Sequence, residues 1–117
     1  MMNDRTRAMF RLRADIFKAL AHPTRLFIVD QLSRQSRCVC ELAEMVGADI
    51  STVSKHLSVL KSAGIAEDEK KGLSVYYTLK APCVMNFFAC LETLIKSSLE
   101  NRLNLLEQGS ATHELEK

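Results

Sequence analysis

The sequence predicts a mainly helical domain with a β-hairpin, a winged helix-turn-helix whose elements follow the order α-α-α-α-β-β-α. Residues 38–64 read as a short helix, a turn and a second helix with a small, polar outward face, which is the helix-turn-helix pattern. Residues 65–79 read as a hairpin that begins directly after the second helix. A hairpin in this position is typical of the wing of a winged helix.

The length and charge of the chain restrict its class. Its 117 residues fit one domain, which we expect to span residues 1–109 and to be followed by a polar tail, residues 110–117. The net charge is only +2, but basic residues outnumber acidic ones up to Arg37, so the amino-terminal third could lie near nucleic acid. No apolar run approaches the length of a membrane span, so we expect a cytosolic protein with no membrane partner.

Two helices come first. Apolar side chains recur at helical spacing around residues 5–21, and His22-Pro23 ends that helix. Pro23 suits the first turn of the next helix, which we expect to run to about Leu32. We interpret His22 as a helix-end residue and residues 33–37 as a loop. The expected apolar side chains are Met9, Leu12, Ile16, Phe17 and Leu20 in the first helix and Leu26, Ile28, Val29 and Leu32 in the second.

The helix-turn-helix follows. Residues 47–49 form the turn, and Asp49 is placed to cap the second helix by accepting a hydrogen bond from the backbone of Ser51 or Thr52. That helix therefore begins near Ile50. Its expected buried stripe, at three-four spacing, consists of Ile50, Val53, Leu57 and Leu60.

The outward face of this second helix carries short hydroxyl side chains and one lysine. Short hydroxyls let a helix sit deep in a major groove and can bond to phosphates or base edges, while lysine supplies charge and His56 a switchable donor. The alternative is an ordinary solvated face of a small helical domain. The predicted DNA-binding residues of this helix are Ser51, Thr52, Ser54, Lys55, His56 and Ser58.

The hairpin is predicted to be a wing that follows Gly64, the residue that ends the helix. We expect a strand near residues 66–69, a turn at residues 70–72 and a strand at residues 74–79. The turn places two further DNA-binding candidates, Lys70 and Lys71, at a tip that lies along the phosphate backbone. The acidic run before them predicts weaker wing contacts.

A long apolar stripe marks the last helix, which begins at Pro82. The stripe is larger than one small winged-helix core can cover. The excess apolar surface needs further cover, and a helix folded back on its own subunit is one way to supply it. The stripe consists of Val84, Phe87, Phe88, Leu91, Leu94, Ile95, Leu99, Leu103 and Leu106.

As a set, these motifs closely resemble the ArsR/SmtB family of dimeric winged-helix repressors, in its arsenic-repressor-like branch. The resemblance implies a homodimer, joined through its first and last helices, that sits on double-stranded operator DNA and leaves when a metal or metalloid binds. The motifs that carry it are residues 17–26 (FKALAHPTRL), residues 38–42 (CVCEL), residues 53–57 (VSKHL) with Leu60, Gly64-Ile65, and residues 75–77 (VYY) with Leu79.

Two of the four cysteines, Cys38 and Cys40, are the candidate inducer site. Structural disulfides are rare in the cytosol, and thiolates are soft ligands, so the pair suggests a soft ion or metalloid. Residues two apart in a regular helix point in different directions. We therefore expect Cys38 at or just before the helix start, where the helix terminus and Arg37 lower both thiol pKa values. Binding there would displace the groove-reading helix.

The resemblance also exposes a gap in the ligand set. Family members that sense trivalent arsenic with this helix carry a third cysteine where this chain has Ala43. Members that sense cadmium and lead add cysteines before the helix, and zinc-sensing members use carboxylates and histidines on the last helix; this chain has neither set. We expect Cys83 or Cys90 to supply the third ligand, and both flank the apolar stripe, so core packing is the alternative. The expected inducers are arsenite or antimonite, then cadmium or lead, then zinc.

Three other classes remain open. A repressor of the same fold could respond to thiol oxidation or persulfide formation at these cysteines. An enzyme with a cysteine nucleophile is disfavoured, because the family pattern suggests no pairing of a cysteine with His22, His56 or His113. We therefore expect no catalytic residues and no catalytic cofactor. A scaffold that has lost DNA binding gains some support from Glu67-Asp68-Glu69 and from Leu73 in the wing.

Overall fold

The computed structural model describes residues 1–108, so the predicted polar tail lies outside the described residues. Residues Met1–Pro82 form one compact unit, and a second begins at Cys83. The predicted winged helix-turn-helix is confirmed, with one added strand before the third helix. The elements are α1 (Asp4–Leu20), α2 (Pro23–Arg34), β1 (Arg37–Cys38), α3 (Val39–Val46), α4 (Ile50–Ser62), β2 (Ala66–Lys71), β3 (Ser74–Leu79), a 3₁₀ turn (Pro82–Val84) and α5 (Met85–Gln108).

Local hydrogen bonds fix the helix starts. The Nδ1 atom of His22 accepts from the backbone N–H of Thr24 at 3.1 Å, and Pro23 occupies the first turn of α2. The expectation that His22 is a helix-end residue is confirmed. Asp49 caps α4 in the same way, accepting from the backbone N–H of Thr52 at 2.8 Å.

The core of the first unit is built by α2, α3 and α4 under the sheet. The stripe on α4 is confirmed for three of its four residues, but Ile50 is wrong, because 55% of it is exposed. Ile50 is the first residue of α4 and lies beyond the turns of that helix that the core covers. The most deeply buried side chains are Ile28, Val29, Leu42, Val53, Leu57 and Leu60.

The wing belongs to a three-stranded antiparallel sheet with the order β1-β3-β2. β1 pairs Arg37 with Tyr77 and Cys38 with Tyr76, although Arg37 was predicted to lie in a loop and Cys38 at the start of a helix. The hairpin is also tighter than predicted. Lys70 and Lys71 are the last residues of β2, and the turn is made by Gly72 and Leu73, with Gly72 at φ 65°. A two-residue hairpin turn favours a residue that accepts positive φ, which places the turn at the glycine and leaves both lysines in the strand.

Two helices keep apolar side chains exposed. On the apolar side of α1, Met9, Leu12 and Ile16 are 43–59% exposed, and of this helix only Ala19 and Leu20 are buried. α5 buries none of its residues, and Leu94 and Leu103 are about 60% exposed. Each helix thus has an apolar surface available to a partner. None of the helices described is long and apolar enough to cross a membrane.

Candidate nucleic-acid interface and thiol site

The first turn of α4, the recognition helix, is held by Asp49. Its Oδ1 atom accepts from the backbone N–H of Thr52 and also from the hydroxyl of Ser51, at 3.2 Å. Hydrogen bonds from Thr52 and then from Ser51 lower the pKa of Asp49 below its usual value. The carboxylate therefore stays ionised at the helix start, where the helix dipole favours a negative charge. The Ser51 proton is used inside the turn, so toward DNA this hydroxyl offers lone pairs.

The predicted outward face is largely solvent-accessible. Ser51, Thr52, Lys55 and Ser58 are exposed and Ser54 is half-buried. This row of hydroxyls with one cation lies on the part of a helix-turn-helix that usually meets base edges. The geometry thus presents a small polar surface that can enter a groove.

His56 does not lie on this outward face of α4. Its ring packs on that of His22, with centroids 4.5 Å apart and planes at 49°. Arg25 donates from its Nη1 atom to Nδ1 of His56 at 3.2 Å, because a guanidinium can only donate. Burial first, then the charges of His22 and Arg25, lower the pKa of His56. The structure thus places this predicted DNA-binding residue at the junction of α1, α2 and α4.

Arg25 is a positioning residue that the sequence reasoning missed. Besides His56, its guanidinium donates from Nε to the carbonyl of Ala19 at 2.6 Å and from Nη2 to that of Lys18 at 3.4 Å. It therefore joins the end of α1 to the recognition helix. The signal in the sequence is that His56 stands three residues after Val53 and four before Leu60, beside the buried stripe.

The wing carries both lysines but offsets part of their charge. Lys70 and Lys71 are both exposed, and successive strand residues point to opposite faces. The Nζ atom of Lys71 lies 3.8 Å from a carboxylate oxygen of Glu69 and 5.4 Å from the ring centre of Tyr76. Asp68 in turn binds Lys61 at 3.0 Å. The wing therefore presents cations whose nearest neighbours include acidic side chains.

The two thiols of the predicted inducer site meet at the start of α3. Cys38 is the N-cap residue, with extended backbone at φ −81° and ψ 160°, and Cys40 follows in the first turn. The extended backbone departs from helical rotation, and the Cys40 side chain is close enough to Cys38 to shift its pKa. The expectation that Cys38 stands at the helix start is confirmed. The Cys38 backbone N–H also donates to Oε1 of Glu41 at 3.1 Å.

The two thiols differ in solvent access, and the pKa of Cys38 departs from the prediction. Cys38 is only 5% exposed, whereas Cys40 is exposed and lines a cavity of about 250 Å³ with Glu41, Glu44 and Met45. The hydrogen bond from Cys40, followed by burial, raises the pKa of Cys38 above its ordinary 9.0. The predicted lowering is therefore wrong for Cys38. Its sulfur lies in the interior beside another thiol and the Glu41 carboxylate, and these neighbours disfavour a thiolate.

The candidate third ligands are in the second unit. Cys90 lies in α5, but Cys83 lies in the preceding 3₁₀ turn and not in the same helix as predicted; both are exposed. Within residues 1–108, no group of three or more histidine, cysteine, aspartate or glutamate residues is arranged to hold a metal ion. The residues present thus fit part of a soft-ligand site, namely two adjacent sulfurs of which one is accessible.

Comparison with known proteins finds relatives that share the region of the helix-turn-helix. Residues 22–68 match the model of the bacterial regulatory protein, arsR family. Over 109 residues the chain is 34% identical to the uncharacterized HTH-type transcriptional regulator Rv0081 of Mycobacterium tuberculosis, covering 89% of this chain and 96% of that protein. It is 43% identical over 67 residues to a homologue of the cadmium resistance regulator CadC from Staphylococcus aureus, covering 56% of this chain and 55% of that one.

Solved structures share the fold. The homodimeric winged helix-turn-helix DNA-binding domain of Mb0332 from Mycobacterium bovis superposes with a TM-score of 0.74 at 33% identity, covering 86% of this chain and 93% of that one. Reduced HlyU from Vibrio cholerae superposes with a TM-score of 0.67 at 26% identity, covering 79% and 97%. Both are relatives whose similarity extends well beyond the helix-turn-helix.

Proposed function

This chain belongs to the ArsR family of bacterial regulatory proteins, and we propose that it leaves its operator when a thiophilic metalloid or metal binds Cys38 and Cys40. It is a DNA-binding transcriptional repressor of that family and not an enzyme. A repressor acts where the chromosome lies, so we place its action in the cytoplasm.

One observation carries the proposal: the two cysteines lie together at the start of α3, with Cys38 as its N-cap residue and Cys40 in its first turn. α3 is the helix on which the recognition helix packs. An ion that takes both sulfurs must compete with the contacts of Cys38 to Glu41. Because those contacts define the start of α3, capture changes the support under α4.

Cys38 also reaches the wing. Its strand pairing with Tyr76 places it across from the middle of β3, and β3 pairs with β2 along its whole length. Movement of Cys38 is therefore transmitted to both DNA-facing elements. The free energy required is small, since a hundredfold loss of operator affinity corresponds to about 2.7 kcal/mol of differential binding.

Arsenite or antimonite is the inducer we favour. A trivalent metalloid is satisfied by three thiolates, and zinc normally takes four ligands. We assign the third sulfur to Cys83 or Cys90, from the same or the partner subunit. Cadmium or lead is the next choice, supported by the cadmium resistance regulators among the relatives. Zinc comes last; a homologue of the repressor SmtB from Synechocystis, 40% identical over 75 residues, is a further relative.

The test follows operator release by fluorescence anisotropy during titration with arsenite. We expect the wild type to be released and Cys40→Ser to bind DNA normally without release. Cys83→Ser and Cys90→Ser each remove an exposed candidate third ligand, and the variant whose cysteine is not the ligand is the matched control for Cys40→Ser. Loss of response in one of the latter two identifies the third ligand. Normal release of Cys40→Ser contradicts the proposed site.

A redox or persulfide response of the same pair is the second candidate. Two neighbouring free thiols can form a disulfide when an oxidant such as polysulfide is supplied, and the structural relatives include a protein solved in a reduced state, HlyU. Titration with polysulfide under the same conditions separates the two candidates. Release by polysulfide but not by arsenite selects this second function.

We propose that α1 and α5 form the dimer interface. Both expose apolar surface, and Mb0332 is a homodimer of the same fold. A two-fold dimer fixes the distance between its two recognition helices, which then read a palindromic operator. Sedimentation of the wild type, compared with Leu94→Glu, measures this directly: the variant should be monomeric and should bind operator weakly.

A further inference from the structure

The recognition helix begins with an exposed aliphatic side chain that the proposed function leaves unused. Ile50 is the first residue of α4 and is 55% exposed, whereas Val53, Leu57 and Leu60 on the same helix are fully buried. Because the side chain of Ile50 is largely exposed, it contributes little packing energy to the stability of the fold. The first turn therefore combines one apolar side chain with polar ones.

The surroundings of Ile50 place it on the DNA-facing end of the helix. Ser54 stands four residues later, hence beside Ile50 on adjacent turns. Ser51 and Thr52 follow it directly and are exposed. Asp49 holds this turn rigid through its bonds to Ser51 and Thr52, so the position of Ile50 is set before any ligand arrives.

The chemistry of the major groove supplies a specific partner. The first residues of a recognition helix are those that contact base edges. The edges of the four base pairs present hydrogen-bond donors and acceptors, and one apolar group, the C5-methyl of thymine. A hydroxyl cannot recognise that methyl group, whereas an exposed sec-butyl side chain matches it.

From this geometry we infer that Ile50 reads a thymine methyl group in each half-site of the operator. The inference rests on the DNA-binding function of α4 and adds to it a base preference. Apolar contact requires no hydrogen bond and excludes water from both groups. A cytosine, or a uracil at the same place, offers no methyl and leaves Ile50 facing water.

The test uses duplexes that differ only in that methyl group. A high-affinity duplex is first selected with the full-length wild-type protein from a random-sequence library, and each thymine is then replaced singly by deoxyuridine. We expect one position per half-site at which the replacement weakens wild-type binding about fourfold, the effect of one buried methyl-sized group. Ile50→Ser should bind both duplexes equally at that position.

The controls separate this inference from the DNA-binding function of α4 on which it rests. Val59→Ser removes another β-branched side chain of α4, 39% exposed and nine residues further along the helix, and should keep the wild-type preference for thymine. If the wild type binds the selected duplex but no deoxyuridine position weakens it, Ile50 reads no methyl group and only this inference is overturned. The same holds if Ile50→Ser keeps the preference. If the wild type selects no duplex at all, DNA binding itself is contradicted.

Discussion

The ring of His56, on the recognition helix, packs 4.5 Å from the ring of His22, the cap of α2, and Arg25 donates a hydrogen bond to its Nδ1 atom. This contact requires that Nδ1 be unprotonated, so only neutral His56 satisfies it. The orientation of α4 thus depends on a side chain that becomes charged on acidification, since the pKa of His56 is lowered below its ordinary 6.5.

Acidification should therefore destabilise the fold through His56. Its pKa in the folded state is lowered below its ordinary 6.5, so the unfolded chain binds a proton first. Stability from this group is present above that value and is lost as pH falls through 6.5 toward the folded pKa. We expect the free energy of unfolding in urea to fall between about pH 7.5 and about pH 5.5, and His56→Gln to reduce that slope.

Two conditions make the pH measurement decisive. Protein concentration is held fixed, because a dimer gains apparent stability with concentration. Readings stay above the range where Glu41 and Asp49 titrate, since the pKa values of both carboxylates are lowered from 4.5 and 3.8, and their stabilisation is lost only under more acidic conditions. Equal slopes in wild type and His56→Gln would show that His56 is not the group responsible.

Arg25 should act through geometry and not through charge. Arg25→Lys keeps the positive charge but cannot reach Ala19, Lys18 and His56 with one planar fork. Loss of one or two of these hydrogen bonds should lower the free energy of unfolding by about 1–2 kcal/mol and weaken operator binding. A phosphate contact would instead be preserved by lysine.

The matched control for Arg25 is Arg34→Lys. Arg34 pairs with Asp30 on an exposed helix surface at 3.3 Å, and such pairs contribute little. Stability and operator affinity should both stay at the wild-type level. If Arg25→Lys also behaves like wild type in both measurements, the link between α1 and the recognition helix is unimportant.

The elements that were predicted correctly depend on nearby residues. Pro23, Asp49 and Gly64 act within one turn of where they stand, and Gly64 takes the expected positive φ of 79°. The features that the sequence did not predict depend on contacts between residues that are far apart in the chain. β1 exists because Cys38 pairs with Tyr76, thirty-eight positions later in the sequence, and the contact between His56 and Arg25 joins two helices.

The thiol site was predicted in part for the same reason. Its location at the start of α3, with an extended backbone at the cap, follows from local sequence. The predicted direction of the Cys38 pKa shift was wrong, because the Cys40 side chain and then burial raise the pKa, and the local sequence does not report burial. The sequence likewise did not predict that Ile50 is exposed, because its exposure depends on which turns of α4 the core covers.

Asp49 provides a test of charge at the recognition helix. Asp49→Asn keeps a good N-cap and removes one negative charge from the end that meets phosphates. We expect operator affinity to rise about threefold at low salt, and the gain to shrink as salt is added. Asp49→Ala removes the charge and the cap together, so its helix should fray and its affinity should fall below that of the asparagine variant. An asparagine variant that binds more weakly than wild type would indicate that the carboxylate accepts a hydrogen bond from DNA.

The raised pKa of Cys38 gives a way to distinguish a metalloid inducer from a metal ion. At neutral pH this group is a protonated thiol. When it reacts with arsenite, a hydroxyl on arsenic takes up the thiol proton and leaves as water, so no proton is released to solvent. When it binds cadmium, the proton must be lost to solvent, and affinity should rise about tenfold per pH unit for that proton.

Inducer titrations from about pH 6 to about pH 8 should therefore give a nearly flat arsenite affinity and a steep cadmium affinity. Cys38→Ser removes the group that must deprotonate, so its residual cadmium binding should show a smaller slope than wild type. Arg34→Lys is the control, because it changes an exposed residue and leaves all four cysteines in place. A cadmium affinity that does not change with pH in wild type would mean that Cys38 is already a thiolate, and the burial and hydrogen bonds described for its sulfur would then not control its chemistry.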